Sequence, residues 1–276
     1  MFEKRAMLVE LTIRQWTARK HDKKVSHEVD QGHGAKNAGR YNKQLIAKDA
    51  LEPIAKKANA IRMFHYAYTL PWGNNGQRLL PAVRFMEYRG KLVEHRNEFN
   101  RLVDSFMASY PQLVSDARAR LGSLYDPSEY PPASDVRLSF GVEFDIFPVP
   151  TAGDFRVEVA DEERAELTAQ IEQATTERQN NATHACYVRV RDVLQRMKNQ
   201  CIEGKTRITD SLVEDARDLI GMLDDLNISG DPELTRVSSE IKRDLLIDAD
   251  DLRNSAATRK AVGDRASQLL ESMDWS

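Results

Sequence analysis

Two strand-like segments lie more than a hundred residues apart in a chain that is otherwise patterned for helices. From Val136 to Phe147, apolar residues alternate with polar residues or glycine, which is the two-residue period of a half-buried strand. The only convincing match to it runs from Val9 to Gln15. We therefore predict a two-stranded ribbon that closes the N-terminal half into one unit. Such a ribbon offers neither the parallel sheet of a nucleotide-binding fold nor a barrel mouth.

Helical periodicity covers most of the remaining chain. It predicts a helix from Asp49 to about Leu70, a longer helix from about Pro81 to Leu121 with a break or kink at Pro111, and helices from Asp161 nearly to the last residue. The polar run Thr175 to Asn181 interrupts the apolar stripe of the last region. Its pattern fits a solvated tip, a hinge or a polar layer in a bundle.

These elements define a fold class and two domains. We expect a mainly α protein with a small antiparallel β element (α+β), in which the two-stranded ribbon with its helices is followed by a C-terminal antiparallel helical bundle. The predicted domains are a mixed α/β unit at 1–155 and an acidic helical bundle at 156–276.

Charge is distributed unevenly between the two halves. Residues 160–276 carry 16 Lys+Arg and 24 Asp+Glu, a balance of −8, and residues 1–159 carry 24 and 19, a balance of +5. The difference fits nucleic-acid contact by the first half, head-to-tail self-association, or two helical surfaces with different solvated faces.

Composition and cysteine positions indicate a soluble protein of the cytoplasm. No stretch approaches the roughly 18 consecutive apolar residues of a membrane span, and the N-terminal residues lack the apolar core of a signal peptide. Cys186 and Cys201 fall on one predicted helix about 22 Å apart, too far for a disulfide, which favours a reducing compartment.

The segment 18–43 has no apolar periodicity, and we predict a long exposed basic loop there. Cations and aromatic side chains are combined in and beside it, as they are in proteins that bind single strands. The candidate nucleic-acid-binding residues are Arg14, Trp16, Arg19, Lys20, Lys23, Lys24, Lys36, Arg40 and Lys43, with Tyr41 nearby. An ordinary solvated basic segment is the alternative interpretation.

The same segment contains residue types that are typical of two other chemistries. His21, His27 and His33 recur among carboxylates, but their spacing fits no known metal-binding motif. Gly32 to Gly39 could offer backbone N–H groups to a phosphate, yet the run lacks the Lys-Ser/Thr pair of a P-loop. We therefore predict neither a metal nor a cofactor.

No catalytic motif is recognisable, so we predict a protein that is not an enzyme. His184 and Cys186 are two residues apart on a predicted helix, which places them on different faces. Four aromatic side chains end the first long helix and are interpreted as a packed corner: His65, Tyr66, Tyr68 and Trp72.

Four segments resemble a phage and prophage family catalogued only as a domain of unknown function: Leu8 to Lys20, His65 to Trp72, Arg137 to Val149 and Leu226 to Leu234. The resemblance covers most of the chain and rests on structural landmarks, with no catalytic residues to transfer. It implies a viral protein in the cytoplasm of an infected bacterial host.

The predicted function is that of a non-enzymatic phage accessory protein. We expect it to act by protein binding as a homo-oligomeric scaffold or adaptor, because its amphipathic helices are longer than a compact core requires. Its partners would be further copies of itself and a phage or host protein, with no membrane contact. The alternatives are a nucleic-acid-binding protein of phage replication or recombination that uses the basic segment, and an inhibitor of a host defence system.

Overall fold

A computed structural model describes residues 2–73, 75–151, 161–202 and 208–273. The strands in these ranges are Ala6–Arg14 (β1), Arg19–His21 (β2), Asn42–Gln44 (β3), Leu70–Pro71 (β4), Arg78–Pro81 (β5) and Gly141–Phe147 (β6). The α-helices are Lys23–Gly32 (α1), Lys48–Tyr68 (α2), Phe85–Leu121 (α3), Ala133–Leu138 (α4), Asp161–Ile202 (α5), Asp210–Leu226 (α6), Pro232–Asp244 (α7), Ala249–Asn254 (α8) and Ala256–Ser272 (α9). No helix within the described ranges has the length and hydropathy that crossing a bilayer requires.

The predicted class, mainly α with a small antiparallel β element, is confirmed. One sheet has the strand order β4–β5–β1–β6, and a second pairs β2 with β3. The ribbon was predicted too small, because β4 and β5 add two short strands that flank the turn after Trp72. Leu79 lies opposite Leu8 on one side and Leu70 on the other, and all three are buried.

The predicted strand from Val136 to Phe147 is wrong in its first five residues, because β6 begins at Gly141. Residues Ala133–Leu138 form α4, whose first turn closes when the N–H groups of Asp135 and Val136 donate to the carbonyl of Pro132. Val136 is buried, whereas Leu138 exposes 76% of its surface, so the two do not share a face. A short alternating run cannot distinguish one helical turn from a strand, and here the helix prevails.

The predicted loop at 18–43 is also wrong, because the segment contains β2, α1 and the start of β3. Asp22 caps α1 by accepting from the N–H of Val25 at 3.1 Å. The backbone N–H of Tyr41 donates to Ser26 Oγ at 2.9 Å, which ties the returning chain to the helix. No residue of α1 is buried, so polar bonds define it without an apolar stripe. We call residues 19–44 the basic module.

The chain divides into two compact units that do not follow the predicted boundary after residue 155. Unit 1 comprises Met1–Glu10, His65–Tyr88 and Asp145–Ser276, and unit 2 comprises Leu11–Phe64 and Arg89–Phe144. The reason lies in the core of unit 1, because Leu8, Leu70 and Leu79 are buried in the same apolar cluster as the C-terminal helices.

The two long helices continue through the positions that the sequence marks as weak. Helix α3 continues through Pro111, so the predicted break does not occur there and the predicted kink stays a prediction. Helix α5 passes through the polar run Thr175 to Asn181, so this run is not a break between two helices.

Helix α5 packs along α9 at a glycine, and this contact gives a stability prediction. A Cβ added at Gly263 would lie 2.4 Å from Ile202 Cγ1 and 3.1 Å from Cys201 Cβ, whereas one at Gly221 meets nothing within 4 Å. Gly263→Ala should therefore lower the free energy of unfolding by about 1 kcal/mol, since overpacking exceeds the gain in helix propensity. Gly221→Ala, the matched control in α6, should raise it by about 0.5–1 kcal/mol. Urea denaturation measures both, and a stabilised Gly263→Ala variant would contradict the packing described.

Candidate nucleic-acid interface

The structure separates the nine predicted binding residues into two groups. Six are exposed and lie in the basic module: Arg19, Lys20, Lys23, Lys24, Lys36 and Arg40. The other three, Arg14, Trp16 and Lys43, make contacts within the protein.

Lys43 is a structural residue and was wrongly included among the binding residues. Its side chain is only 3% exposed, and Nζ lies 2.6 Å from Glu129 Oε2 and 3.4 Å from Asp22 Oδ2. Nζ also donates to the carbonyl of Leu124 at 2.6 Å. Burial alone would lower the pKa of Lys43, but the two carboxylates outweigh burial and raise the pKa above its ordinary value. Lys43 therefore holds the basic module against the segment that follows α3.

Arg14 and Trp16 lie at the edge of the module. Arg14 Nη2 donates to Glu143 Oε1 at 2.6 Å across the sheet, so its charge is compensated. Trp16 is half-buried, and its ring packs against those of Phe106 and Tyr110, with centroids 6.4 and 5.8 Å away. These contacts fix the orientation of the Trp16 ring.

The exposed cations of the module are mostly without ionic partners. Among the described residues, no ion pair or hydrogen bond of the side chain is found for Arg19, Lys20, Lys23, Lys36 or Arg40, and Lys24 reaches Glu28 only at 4.0 Å. The helices of unit 1 differ, because the following arginines there are paired with carboxylates: Arg84, Arg196, Arg217, Arg236, Arg253 and Arg265. Five such cations thus lie within residues 19–40, although Arg89 and Arg118 of α3, in the same unit, are also exposed without an ion pair among the described residues.

Helix α1 adds to this positive potential. Lys23 and Lys24 occupy its first turn, which contains no acidic residue, and the N-terminal end of a helix carries partial positive charge. Cations at that end cost about 0.3–1 kcal/mol each in stability. The Asp22 carboxylate already caps this end of the helix, so the exposed lysine side chains, and not the helix end itself, are available to an anion.

The glycine-rich run Gly32 to Gly39 has no free phosphate cradle. The Asp30 carboxylate accepts from the backbone N–H groups of Asn37 at 2.8 Å and Ala38 at 3.3 Å, and the Asp30 carbonyl accepts from Ala35 N–H at 2.8 Å. Groups that a nucleotide phosphate would need are therefore occupied by an internal carboxylate.

The three histidines of the module do not form a metal centre in the part of the chain that the structure describes. No group of three potential ligands that could hold an ion is found there. His21 Nε2 lies 3.2 Å from Ser26 Oγ, which is a local contact within the module.

A groove that the sequence did not indicate adjoins the module in unit 2. Its volume is about 380 Å³, and we call it the Trp16 groove. Apolar side chains line it: Trp16, Ile46, Leu51, Ile54, Ala55 and Phe140. Its polar and charged lining residues are Gln15, Thr17, Arg19, Gln44, Lys48 and Glu52. These residues come from three stretches of the chain, 15–19, 44–55 and Phe140, so no local motif could have predicted the groove.

The predicted aromatic corner in unit 1 is packed as expected for three of its four members. His65, Tyr68 and Trp72 are buried, whereas Tyr66 is 47% exposed. His65 Nδ1 lies 2.8 Å from Tyr88 Oη, and the Arg78 guanidinium lies 4.8 Å from the centre of the Tyr66 ring.

The cysteines of this unit, Cys186 and Cys201, are buried and free, and burial raises the pKa of the Cys186 thiol to about 12.

His65 makes stability depend on pH in a defined window. Burial, with a smaller effect from the Arg78 charge, lowers the pKa of His65 from 6.5 to about 4 in the folded protein. The unfolded chain binds this proton first, so the stabilisation is complete above pH 6.5 and is lost as pH falls towards 4. We expect the free energy of unfolding to drop by about 2 kcal/mol between pH 7 and 4.5. Urea denaturation at both values should show a smaller drop for His65→Gln, and equal drops would contradict the assignment.

No model of a known protein family matches the chain. No curated protein and no solved structure matches it either. The resemblance to a phage family therefore stays a prediction.

Proposed function

We propose that the protein binds single-stranded nucleic acid through the basic module. The observation that carries the proposal is the concentration of five exposed cations without ionic partners, within the described residues, between Arg19 and Arg40. Lysine and arginine side chains that neutralise phosphates release condensed counterions, which favours binding without any base-specific contact. Because no carboxylate among the described residues forms an ion pair with these side chains, they are available to a polyanion.

The net charges of the two units support binding of a polyanion by unit 2. Unit 2 carries 19 Lys+Arg and 13 Asp+Glu, a formal charge of +6, whereas unit 1 carries 21 and 30, a formal charge of −9. A polyanion is attracted to unit 2 and repelled by unit 1. The contrast is slightly larger than that between residues 1–159 and 160–276, because the parts of unit 1 from the N-terminal half carry one more acidic than basic residue.

Native mass spectrometry of the protein purified at low salt without nuclease tests the proposal. We expect heterogeneous mass added to the protein, which nuclease treatment removes. Protein that carries no nucleic acid and does not bind added oligothymidine at low salt would overturn the proposal.

A second candidate is the homo-oligomeric scaffold or adaptor, and one observation favours it. Val83, in the turn just before α3, and Met86, in the first turn of α3, expose 75% and 71% of their surface and lie three residues apart. Adjacent exposed apolar side chains of this kind are typical of protein contact surfaces. The same mass spectrum reports subunit number, and a strictly monomeric protein at micromolar concentration would exclude this function. A phage origin and inhibition of a host defence system remain proposals that depend on the resemblance.

A further inference from the structure

We infer that the Trp16 groove receives an unpaired base of the bound strand, an inference that rests on the proposed function. The module alone explains attraction to phosphates, which any nucleic acid provides. The groove adds a cavity of about 380 Å³ in the same unit, within the range of about 300–1,000 Å³ of pockets that hold small molecules. A base must be unpaired and unstacked to enter a cavity of this kind.

The apolar lining suits the face of a base. Trp16 is the largest aromatic residue in the groove, and Phe106 and Tyr110 brace its ring, the latter at an interplanar angle of 76°. Because the ring is held in place and half-buried, little side-chain freedom is lost when a base packs against it. Aromatic side chains accept every base in this way, so we expect no strong sequence preference.

The polar lining suits the edge of a base. Gln15 and Gln44 each present an amide with donors and an acceptor, and Thr17 presents a hydroxyl. Such groups can pair with the polar edge of any base. They also disfavour a purely apolar occupant, because it would leave them without partners.

Charge and aromatic lining together favour a nucleic acid over an acidic peptide as the occupant of the groove. Arg19 belongs to both the groove and the basic module, and Lys48 lines the groove as well. Glu52 is the one carboxylate among its described lining residues, and it pairs with Lys56 at 3.0 Å. Cations at the groove and along the module match a ligand that carries a regular series of phosphates next to flat apolar groups.

Filling the groove without changing its charge tests the inference. Ala55 is an exposed residue of α2 that lines the groove, and Ala55→Phe should weaken binding of an oligothymidine about tenfold. Ala60→Phe, at an exposed position of the same helix outside the groove, should bind like the unchanged protein. An abasic oligomer of the same length should bind the unchanged protein about tenfold more weakly than oligothymidine and should bind both variants equally.

Fluorescence anisotropy measures the affinities in this experiment. Different results would contradict the base pocket and the proposed function. If the abasic oligomer binds as tightly as oligothymidine, or if Ala55→Phe has no effect on oligothymidine, the base pocket is wrong and the proposed function stands. If neither oligomer binds at low salt, the proposed function is wrong. Polyglutamate of equal charge serves as a competitor. If it displaces oligothymidine and binds with the same affinity, the base pocket is wrong and an acidic peptide is favoured as the ligand.

Discussion

Replacing Lys20, Lys23, Lys36 and Arg40 together by Glu is expected to weaken binding of single-stranded DNA at least about 100-fold near 50 mM salt. These four exposed side chains have no ionic partners in the described structure, so their replacement removes ligand contacts and no internal ones. If each cation meets one phosphate, the slope of log affinity against log salt should fall in magnitude by about 3, since a single strand contributes about 0.7 for each neutralised phosphate. Fluorescence anisotropy at several salt concentrations measures both quantities.

The control for this variant changes the same amount of charge elsewhere. Lys4, Arg191, Lys198 and Lys260 lie in unit 1, outside the module and the Trp16 groove, and their joint replacement by Glu alters net charge identically. We expect the control to lose less than about tenfold in affinity, because distant charges are screened beyond about 10 Å at 0.1 M salt. Equal losses in the two variants would show that net charge, and not the module, determines binding.

Replacing Arg189 by Met is expected to lower the free energy of unfolding by about 3 kcal/mol. The Arg189 guanidinium donates to the carbonyl oxygens of Tyr66 at 2.7 Å, Ala67 at 3.0 Å and Thr69 at 2.5 Å. These carbonyls lie at the C-terminal end of α2, where no further helical turn can satisfy them. A cation at this position also interacts favourably with the negative end of the helix. Methionine preserves much of the packing volume and removes all three bonds.

Urea denaturation should separate this effect from the loss of an ordinary surface arginine. Arg196 lies in the same helix and pairs with Asp215 at 2.7 Å, but both side chains are 50% exposed. An exposed pair contributes about 0.2–1 kcal/mol, so Arg196→Met should cost no more than that. Arg189→Lys should be intermediate, because one ammonium group cannot reach all three carbonyls in the same geometry. If Arg189→Met is as stable as Arg196→Met, Arg189 does not have this structural role.

Hydrophobic periodicity was sufficient to predict the elements whose apolar faces are buried. The strand predicted at Val9 to Gln15 overlaps most of β1, and the helices predicted from Asp49 and Asp161 correspond to α2 and α5. Helix α1 was missed because the Asp22 cap and the Ser26 bond define it without burying any of its residues. Strands β4 and β5 were missed because two to four residues are too few to show a period.

The binding site was predictable where charge alone determines it and not where tertiary contacts do. Six of the nine predicted residues are exposed in the module, because a short polar segment cannot bury lysine and arginine. Lys43 is different because its partner Glu129 is remote in sequence, so no local pattern reveals the pair. The groove requires α2, the strand ends and Phe140 to converge, which the sequence does not specify locally.

Binding of single-stranded nucleic acid by the module is tested by the affinity of the unchanged protein for a fluorescent oligothymidine between about 25 and 300 mM salt. If five module cations each meet one phosphate, log affinity should fall with log salt at a slope of about −3 to −4, and double-stranded DNA of the same length should bind more weakly. No binding at the lowest salt, or binding that does not change with salt, would contradict the account.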